Sequence, residues 1–237
     1  MKSLKQGVLV GSDENLEWLL PWWWDNYQKY NRYEVAFADF GMSKKARSWC
    51  EDRGEVIIVE SISSELLTSN DLEWANVYGV SYNKARQGWF KKPLALAQTP
   101  FEITLWCDLD CEVLKDLKDL FSKATYDPFL AIVKELSNYE SPYTIYNGGV
   151  ILYHKEARII KEFSSQAVSR AKEFWGDDRL LSALINDLKE PVIELDEVFN
   201  WRIGQGVPAD AYILHWTGEW GKKYIQKLGG ISPFIRH

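Results

Sequence analysis

Short apolar segments alternate with helical patterns through the first 60 residues, and this alternation constrains the fold more than any other feature of the chain. Strands are predicted at residues 7–10, 33–40 and 55–59, and helical patterns follow the first two of them. Parallel strands need a long crossover, which is usually a helix, so this order of elements predicts parallel pairing. We therefore expect an α/β fold with an open, mostly parallel sheet flanked by helices.

The first predicted helix has a start signal and one apolar face. Ser12 is the expected N-cap, because acids follow it and acids favour the first turn of a helix. Large apolar side chains then recur at helical spacing, at Leu16, Leu19, Leu20, Trp23, Trp24 and Tyr27. Pro21 interrupts this pattern, so we expect a kink or a new helix start there. The second helix, at residues 43–53, is expected to end at Gly54.

The order of elements becomes less regular after residue 113, but no linker divides the chain. The predicted elements there are a helix at 114–124, strands at 129–133 and 145–153, a mostly helical stretch at 155–188 broken at 175–176, and short strands up to residue 216. No repeat or low-complexity tract is present in the sequence. A single domain over residues 1–237 is the simplest expectation.

Composition argues against several classes of function. Of the 237 residues, 46% are hydrophobic and 26% are charged, which is typical of a globular protein and not of a disordered one. A net charge of −6 does not suit a nucleic-acid polymer, whose phosphates need basic partners. Apolar runs are too short for a signal peptide or a membrane span. The three cysteines, an odd number, favour a reducing compartment, and we expect a cytoplasmic location.

Two acids end the apolar segment ITLWC. On a strand alternate side chains share a face, so Asp108 and Asp110 are expected on one face and Leu109 on the other. Carboxylates this close repel each other unless a proton or cation lies between them, and oxygen ligands suit Mg²⁺ or Mn²⁺. The alternative is that an acid caps the following helix. Cys107 and Cys111 flank the pair, and we expect them to be core side chains and not zinc ligands.

Two further stretches combine polar side chains with backbone signals. Asn147 precedes Gly148 and Gly149 at the start of an apolar strand, where glycine indicates either a β-bulge or close approach of the backbone to a ligand. Asp177 and Asp178 open a helix, a position that suits acids both for the helix dipole and for function. Each stretch therefore keeps a structural and a functional interpretation.

A late segment joins an imidazole, glycines and two ammonium groups. His215 ends an apolar run, Gly218 and Gly221 permit a tight loop, and Lys222 and Lys223 follow. A single histidine is more often structural than a ligand. The combination nevertheless suits a segment that completes a metal shell and closes over a diphosphate.

Taken in order over about residues 7–223, these motifs resemble those of the GT-A glycosyltransferases, and most closely family 8. The matching elements are the strand-borne Asp-x-Asp, the Asn-Gly-Gly-Val strand, the acidic start of an aliphatic helix, and the late His-x-x-Gly with lysine. The resemblance implies one Rossmann-like GT-A domain, with its nucleotide-binding half at about residues 1–113 and its acceptor-side half at about 114–237. It also implies transfer of a hexose, with UDP-hexose and retention as the simplest case, to a sugar, lipid-linked or protein acceptor.

The resemblance also implies roles for individual residues. Asp108, Asp110 and His215 would bind Mn²⁺ or Mg²⁺. The residues expected to bind the nucleotide sugar are Gly11, Ser12, Asp13, Lys92, Asp108, Leu109, Gly148, Gly218 and Lys222. Of these, the segment 11–13 would meet the base and ribose, and Lys222 would face the diphosphate. The residues expected to act on the donor sugar at the transfer point are Asn147, Asp177 and Asp178.

The chain departs from the family pattern at one position, and it is rich in aromatic residues. The usual lysine three residues after Gly218 is replaced by Gly221, so Lys222 or Lys223 must substitute for it. Indole rings pack well on sugar faces, and the candidates for an acceptor platform are Trp22, Trp23, Trp24, Trp74, Trp89, Trp175, Trp201, Trp216 and Trp220. Trp175 and Trp220 are the best of them because they lie near predicted loops.

Two other functions are open at this stage. Haloacid-dehalogenase-like phosphatases also carry a strand-borne Asp-x-Asp, but theirs usually lies near the N-terminus and the first acid attacks a phosphoryl group. A non-catalytic carbohydrate-binding domain of transferase type would use the aromatic surface alone. Peripheral membrane contact is a further option, although the sequence shows no basic amphipathic helix.

Overall fold

The structure is a computed structural model that describes residues 5–60, 62–63, 65, 82–124, 129–135, 141–203 and 206–231. The strands are β1 (Gln6–Ser12), β2 (Glu34–Asp39), β3 (Glu55–Ile58), β4 (Ile103–Cys107), β5 (Cys111–Val113), β6 (Leu130–Lys134), β7 (Tyr146–His154), β8 (Ile193–Leu195), β9 (Trp201–Arg202) and β10 (Ile213–His215). The helices are α1 (Leu19–Tyr30), α2 (Lys44–Glu51), α3 (Tyr82–Trp89), α4 (Lys92–Ala97), α5 (Lys118–Phe121), α6 (Arg158–Gln166), α7 (Asp177–Leu188) and α8 (Gly218–Leu228), with short 3₁₀ turns at Ala171–Glu173 and Glu197–Phe199.

A seven-stranded sheet forms the centre of the fold, in the order β3-β2-β1-β4-β7-β6-β8. The strands β3, β2, β1 and β4 are parallel neighbours, and β7 is antiparallel to both β4 and β6. The expected open, mostly parallel sheet is therefore confirmed. Because β7 runs against β4, its first residues lie at the edge of the sheet where β4 ends.

A second, three-stranded sheet has the order β5-β10-β9. Strand β5 leaves the turn that follows β4, and β10 pairs with it in the antiparallel direction, so that His215 lies opposite Cys111. This pairing brings a segment near the end of the chain to the edge where the central strands end.

Two apolar clusters cover the two faces of the large sheet. Val8 and Val10 of β1 belong to the cluster that includes α1 and α2, whereas Leu9 belongs to the cluster that includes α4, α6 and α7. Alternate side chains of a strand point to opposite faces, so apolar residues in succession are what a strand buried on both faces requires.

The expected N-cap of the first helix was wrong. Ser12 lies in β1 and does not cap α1; the Asp13 carboxylate instead accepts hydrogen bonds from the backbone N–H groups of Asn15 and Leu16, and α1 begins only at Leu19. Pro21 falls in the first turn of α1, where its missing N–H needs no partner, so the new helix start lies close to it.

The predicted helix at 114–124 shrinks to α5. The Leu114 backbone N–H donates to the Tyr212 carbonyl, which extends the pairing of β5 with β10 beyond the strand, and the Asp116 carboxylate caps the N–H of Lys118. Tertiary pairing has therefore overridden the helical pattern of this segment. In contrast, the predicted break at 175–176 is confirmed, because α7 begins at Asp177 with Gly176 as its N-cap.

Candidate active site

The Asp108-Leu109-Asp110 segment is a tight turn and not the end of the strand. β4 stops at Cys107, and the Cys111 N–H donates to the Asp108 carbonyl at 3.0 Å, closing a turn. The expectation of strand alternation was therefore wrong here. The two carboxylates nevertheless lie beside one group, since His215 Nε2 is 3.3 Å from Asp110 Oδ1 and 3.9 Å from Asp108 Oδ2.

A chain of hydrogen bonds fixes the tautomer of His215. The Gly149 backbone N–H donates to Asn147 Oδ1 at 3.0 Å, so that atom is an acceptor, and Asn200 Nδ2 donates to it at 2.8 Å. Asn200 Oδ1 then accepts from His215 Nδ1 at 3.0 Å. His215 Nε2 then faces the Asp110 carboxylate at 3.3 Å, and in the neutral imidazole this nitrogen would offer its lone pair to a cation bound beside that carboxylate.

Lys92 links three parts of the chain at this edge. Its buried Nζ lies 3.2 Å from both Asp108 Oδ1 and Asp177 Oδ2, and donates to the Gly148 carbonyl at 3.1 Å. Burial alone would lower the pKa of Lys92, but the Asp108 and Asp177 carboxylates hold it above its usual value. The Trp106 indole N–H donates to Asp108 Oδ1 at 2.7 Å and fixes that carboxylate from another side.

Lys222 and Lys223 have different surroundings. Lys222 Nζ lies 2.6 Å from Asp110 Oδ2, whereas Lys223 Nζ pairs with Glu219 on the exposed surface of α8. Burial would raise the pKa of Asp110, but Lys222 and His215 together hold it well below its usual range. Of the two lysines that the sequence left open, the structure thus places Lys222 at the site.

The glycines after His215 begin a helix instead of forming a flexible loop, which corrects that expectation. Gly218 has a φ of 75°, a left-handed conformation that favours glycine, and is the first residue of α8. Gly221 lies inside the helix, where a Cβ atom would come within 2.3 Å of the Trp216 carbonyl oxygen. Close backbone packing therefore explains why glycine occupies the position at which the family pattern has lysine.

Asp177 and Asp178 lie at the start of α7. Burial raises the pKa of Asp177, with the Lys92 ammonium opposing this effect. Burial, and after it the Asp177 charge, raises the pKa of Asp178 to about 7. Asp178 Oδ1 is buried and has no hydrogen-bond partner in the part of the chain that the structure describes.

The structural interpretation of the Asn-Gly-Gly segment is confirmed, and its approach to a ligand stays a prediction. The register of β6 and β7 shifts between Ile132 and Val133, so the irregularity falls at residues 148–150 of β7 and includes both glycines. A Cβ on Gly148 would lie 3.5 Å from Lys92 Nζ, and one on Gly149 would overlap the His215 ring at 2.2 Å. The close neighbour of Gly149 is thus an imidazole of the same chain.

The segment 11–13 lies at the same edge of the sheet. Gly11 abuts the rings of Phe40 and Trp106, which a Cβ there would meet at 2.5 and 2.8 Å. Ser12 is buried and donates to the Asp13 carbonyl. Trp106 in turn reaches Asp108, so the segment is adjacent to the acidic turn.

Three residues beside the site were not predicted to belong to it. Asn200 orients His215 but stands in no recognisable motif. Trp106 resembles any core residue of a strand. Cys111 is a core residue as expected, and one ligand atom each from Asp110, Cys111 and His215 lie within 4.8 Å of one another. The position of Cys111 depends on the pairing of β5 with β10, which local patterns do not show.

The tryptophans divide between core and surface. Trp23 and Trp216 are buried, while Trp220 is 61% exposed and contacts Trp216 and Tyr224. Trp175 is partly exposed and lies under the Arg179 guanidinium at 4.6 Å. Trp74 lies outside the described residues. Within the described ranges, no helix is long and apolar enough to cross a membrane.

The chain shares its fold with solved glycosyltransferases. The galactosyltransferase LgtC, solved with donor and acceptor sugar analogues, superposes with a TM-score of 0.65 at 14% identity over 94% of this chain and 95% of LgtC. Mouse xyloside xylosyltransferase 1 in its apo form gives 0.58 at 14% identity over 89% and 96%. Apo GlyE of Streptococcus pneumoniae TIGR4 gives 0.63 at 15% identity over 92% of this chain and 55% of GlyE. No protein-family model and no curated protein sequence matches the chain.

These similarities show that the chain has the GT-A glycosyltransferase fold. At these identities the likeness concerns the fold alone, so membership of family 8 stays a prediction.

Proposed function

We propose that this chain is a metal-dependent glycosyltransferase that moves a hexose from a nucleoside diphosphate sugar, with UDP as the nucleotide, to a hydroxyl acceptor. One observation carries the proposal. In a GT-A fold, the carboxylates of Asp108 and Asp110 lie 3.9 and 3.3 Å from His215 Nε2, the ring nitrogen that Asn200 does not contact, and Lys92 and Lys222 adjoin these carboxylates.

The donor set fits a divalent cation. Asp108, Asp110 and His215 would hold Mn²⁺ or Mg²⁺, because their oxygen and imidazole atoms are ligands that both ions accept. Such a cation would act as a Lewis acid that stabilises the negative charge on the departing diphosphate. Asn200 supports this by keeping the proton of His215 on Nδ1, which leaves Nε2 as the ligand atom.

The two lysines differ in what they can do for the diphosphate. Lys222 has one anionic partner and its side chain is 27% exposed, so it is able to turn towards a phosphate that enters the site. Lys92 is held by three partners and serves mainly to position the Asp108 and Asp177 carboxylates.

The donor sugar lies on the other side of the cation in this proposal. Asn147, whose Oδ1 is already occupied, and Gly148 would approach the sugar through Nδ2 and backbone. Asp177 and Asp178 would bind its hydroxyls, and the partnerless Oδ1 of Asp178 is an acceptor for one of them. The segment 11–13 would bind base and ribose, and Leu109, whose side chain lies in the core, would contribute its backbone.

Several finer features remain part of the proposal. A UDP-hexose donor, retention, and a sugar, lipid-linked or protein acceptor follow from the family resemblance, as does the division near residue 113. The three free cysteines agree with a cytoplasmic location, and peripheral contact with a membrane is an option for reaching a lipid-linked acceptor.

The test is calorimetric titration of UDP with and without Mn²⁺, followed by turnover assays with a panel of UDP-hexoses. We expect UDP binding that requires the cation, and loss of turnover in Asp110→Ala on the order of 10²-fold or more. Asp25→Ala, an exposed carboxylate on α1, is the matched control. Full turnover in Asp110→Ala would refute the proposal. Sugar binding without nucleotide binding would favour a carbohydrate-binding domain, and hydrolysis of a simple phosphomonoester would favour a phosphatase.

A further inference from the structure

The thiol of Cys111 lies where a metal ligand would. Its Sγ, a carboxylate oxygen of Asp110 and a ring nitrogen of His215 are within 4.8 Å of one another, and all three residues are buried. The antiparallel register of β5 and β10 sets Cys111 directly opposite His215, and residues opposite each other in such a pair project to the same face.

Cys111 and Cys50 are both buried free thiols, but their neighbours differ. Cys50 lies in α2, and the contact of its Sγ is the sulfur of Met42 at 3.8 Å. The Cys111 Sγ makes a weak contact with the Gly149 carbonyl, at 3.8 Å, on the segment that adjoins His215, and it also contacts the thiol of Cys107. Both Cys50 and Cys111 lie in the core, but Cys111 also lies beside a carboxylate and an imidazole that could share a metal with it.

We propose that Asp110, Cys111 and His215 form a sulfur-, nitrogen- and oxygen-containing site that selects thiophilic divalent cations, Zn²⁺ or Cd²⁺, over Mn²⁺ and Mg²⁺. Thiolate and imidazole are the ligands that zinc prefers, and manganese and magnesium gain little from a thiol. The ligand is the thiolate, so coordination replaces the S–H bond by a sulfur–metal bond and releases one proton to solvent.

The site shares Asp110 and His215 with the cation of the proposed reaction, so the two kinds of cation compete for it. We therefore expect Zn²⁺ and Cd²⁺ to inhibit sugar transfer, and this consequence rests on the proposed function. The binding preference itself does not.

The experiment is titration of the full chain with Cd²⁺, followed by ultraviolet thiolate-to-cadmium charge-transfer absorbance, with Zn²⁺ affinity measured against a chromophoric chelator. In the wild-type protein we expect one charge-transfer step per chain and tighter binding of Zn²⁺ than of Mn²⁺. Cys111→Ser removes a direct ligand, so Zn²⁺ affinity should fall by about 10–100-fold or more while Mn²⁺ affinity is retained. Cys50→Ser, the matched control, should change neither.

Absence of the charge-transfer band in the wild-type protein would overturn the proposal, and this measurement needs no variant to fold. A band or a Zn²⁺ preference that persists in Cys111→Ser would overturn it as well. A Cys111-dependent band in a protein that does not bind UDP would support the thiophilic site while refuting the transferase.

Discussion

Replacing Lys222 by methionine should change cation binding and nucleotide binding in opposite directions. Without a cation, the Lys222 ammonium neutralises Asp110 at 2.6 Å. A divalent cation on the same carboxylate repels that ammonium, so the ion pair must open when Mn²⁺ binds. Lys222→Met removes this competitor, and we expect Mn²⁺ to bind more tightly to the nucleotide-free variant. Once Mn²⁺ is bound, the same change removes the ammonium that would meet a diphosphate, so UDP should bind more weakly.

The size of the effect follows from the exposure of the pair. The Lys222 side chain is 27% exposed and that of Asp110 is 11% exposed, which places the pair between two known limits. Exposed pairs contribute about 0.2–1 kcal/mol, and breaking a buried pair costs about 3–5 kcal/mol. An intermediate value of about 1.4 kcal/mol corresponds to tenfold tighter Mn²⁺ binding. A charged hydrogen bond to the diphosphate is worth about 1.5–3 kcal/mol, so UDP should bind at least tenfold more weakly.

Two calorimetric titrations measure both quantities, the first of Mn²⁺ into the nucleotide-free protein and the second of UDP at saturating Mn²⁺. Lys223→Met is the matched control, since it removes the same charge at the next position of α8. Among the described residues, the Lys223 ammonium pairs with the exposed Glu219 and not with Asp110. Lys223→Met should leave both dissociation constants within about twofold, because an exposed pair contributes little.

Two results would refute this reasoning. Weaker or unchanged Mn²⁺ binding in Lys222→Met would show that Lys222 does not compete for Asp110. An equal gain in Lys223→Met would show that only the overall charge of the site matters.

Three further predictions concern the groups around the cation. The pKa of Asp178 is raised to about 7, so the folded state holds a proton that the unfolded state has already released, and the free energy of unfolding falls as pH rises from about 4 to 7. Asp178→Asn should reduce this pH dependence when melting temperatures at pH 5 and pH 8 are compared. An unchanged pH dependence would contradict the prediction. Asn200→Ala removes the hydrogen-bond partner of His215 Nδ1 and should weaken Mn²⁺ binding by about 10–100-fold in calorimetry. If the variant binds Mn²⁺ as tightly as the wild type, Asn200 does not set the tautomer of His215. Gly149→Ala places a Cβ against the His215 ring and should lower both the Mn²⁺ affinity and the melting temperature. The control Gly88→Ala lies in open space on α3 and should be neutral or stabilising by about 0.4–1 kcal/mol. Equal behaviour of the two variants would refute the close packing of Gly149 against His215.

Local periodicity was enough to predict the elements that depend on near neighbours. Strands β1, β2 and β3 were predicted from apolar runs. Burial on both faces explains the continuous runs of β1 and β2, whereas β3 lies at the edge of the sheet and leaves Ile58 65% exposed. The edge at which ligands would bind also followed, because parallel strands share one carboxyl edge. The prediction of a helix at 114–124 was wrong because this segment pairs with the backbone at Tyr212, about 100 residues away, and that pairing determines its conformation.

The sequence predicted only part of the site, because pairing between distant segments brings the other residues into it. Asp108, Asp110 and His215 were recognisable as residue types in motifs. The pairing of Cys111 with His215 and the hydrogen bond between Asn147 and Asn200 join segments that are distant in sequence, and no short motif encodes such a register. Gly221 looked like part of a loop because a sequence does not distinguish a glycine needed for φ from one needed for close packing.

The division of the site's positive charge between two lysines explains how four clustered acids persist in the cation-free fold. The Lys92 ammonium is buried beside Asp108, Asp177 and the Gly148 carbonyl. Because its displacement would leave two carboxylates without their common counter-charge, we expect it to stay in place when a cation binds. Lys222 has one partner and partial access to solvent, so releasing it leaves a single carboxylate to be neutralised, which a divalent cation does at once. Under the proposed function, the exchange of one cation for another at Asp110 would free an ammonium beside the expected diphosphate, and that one side chain would link binding of the metal to binding of the nucleotide.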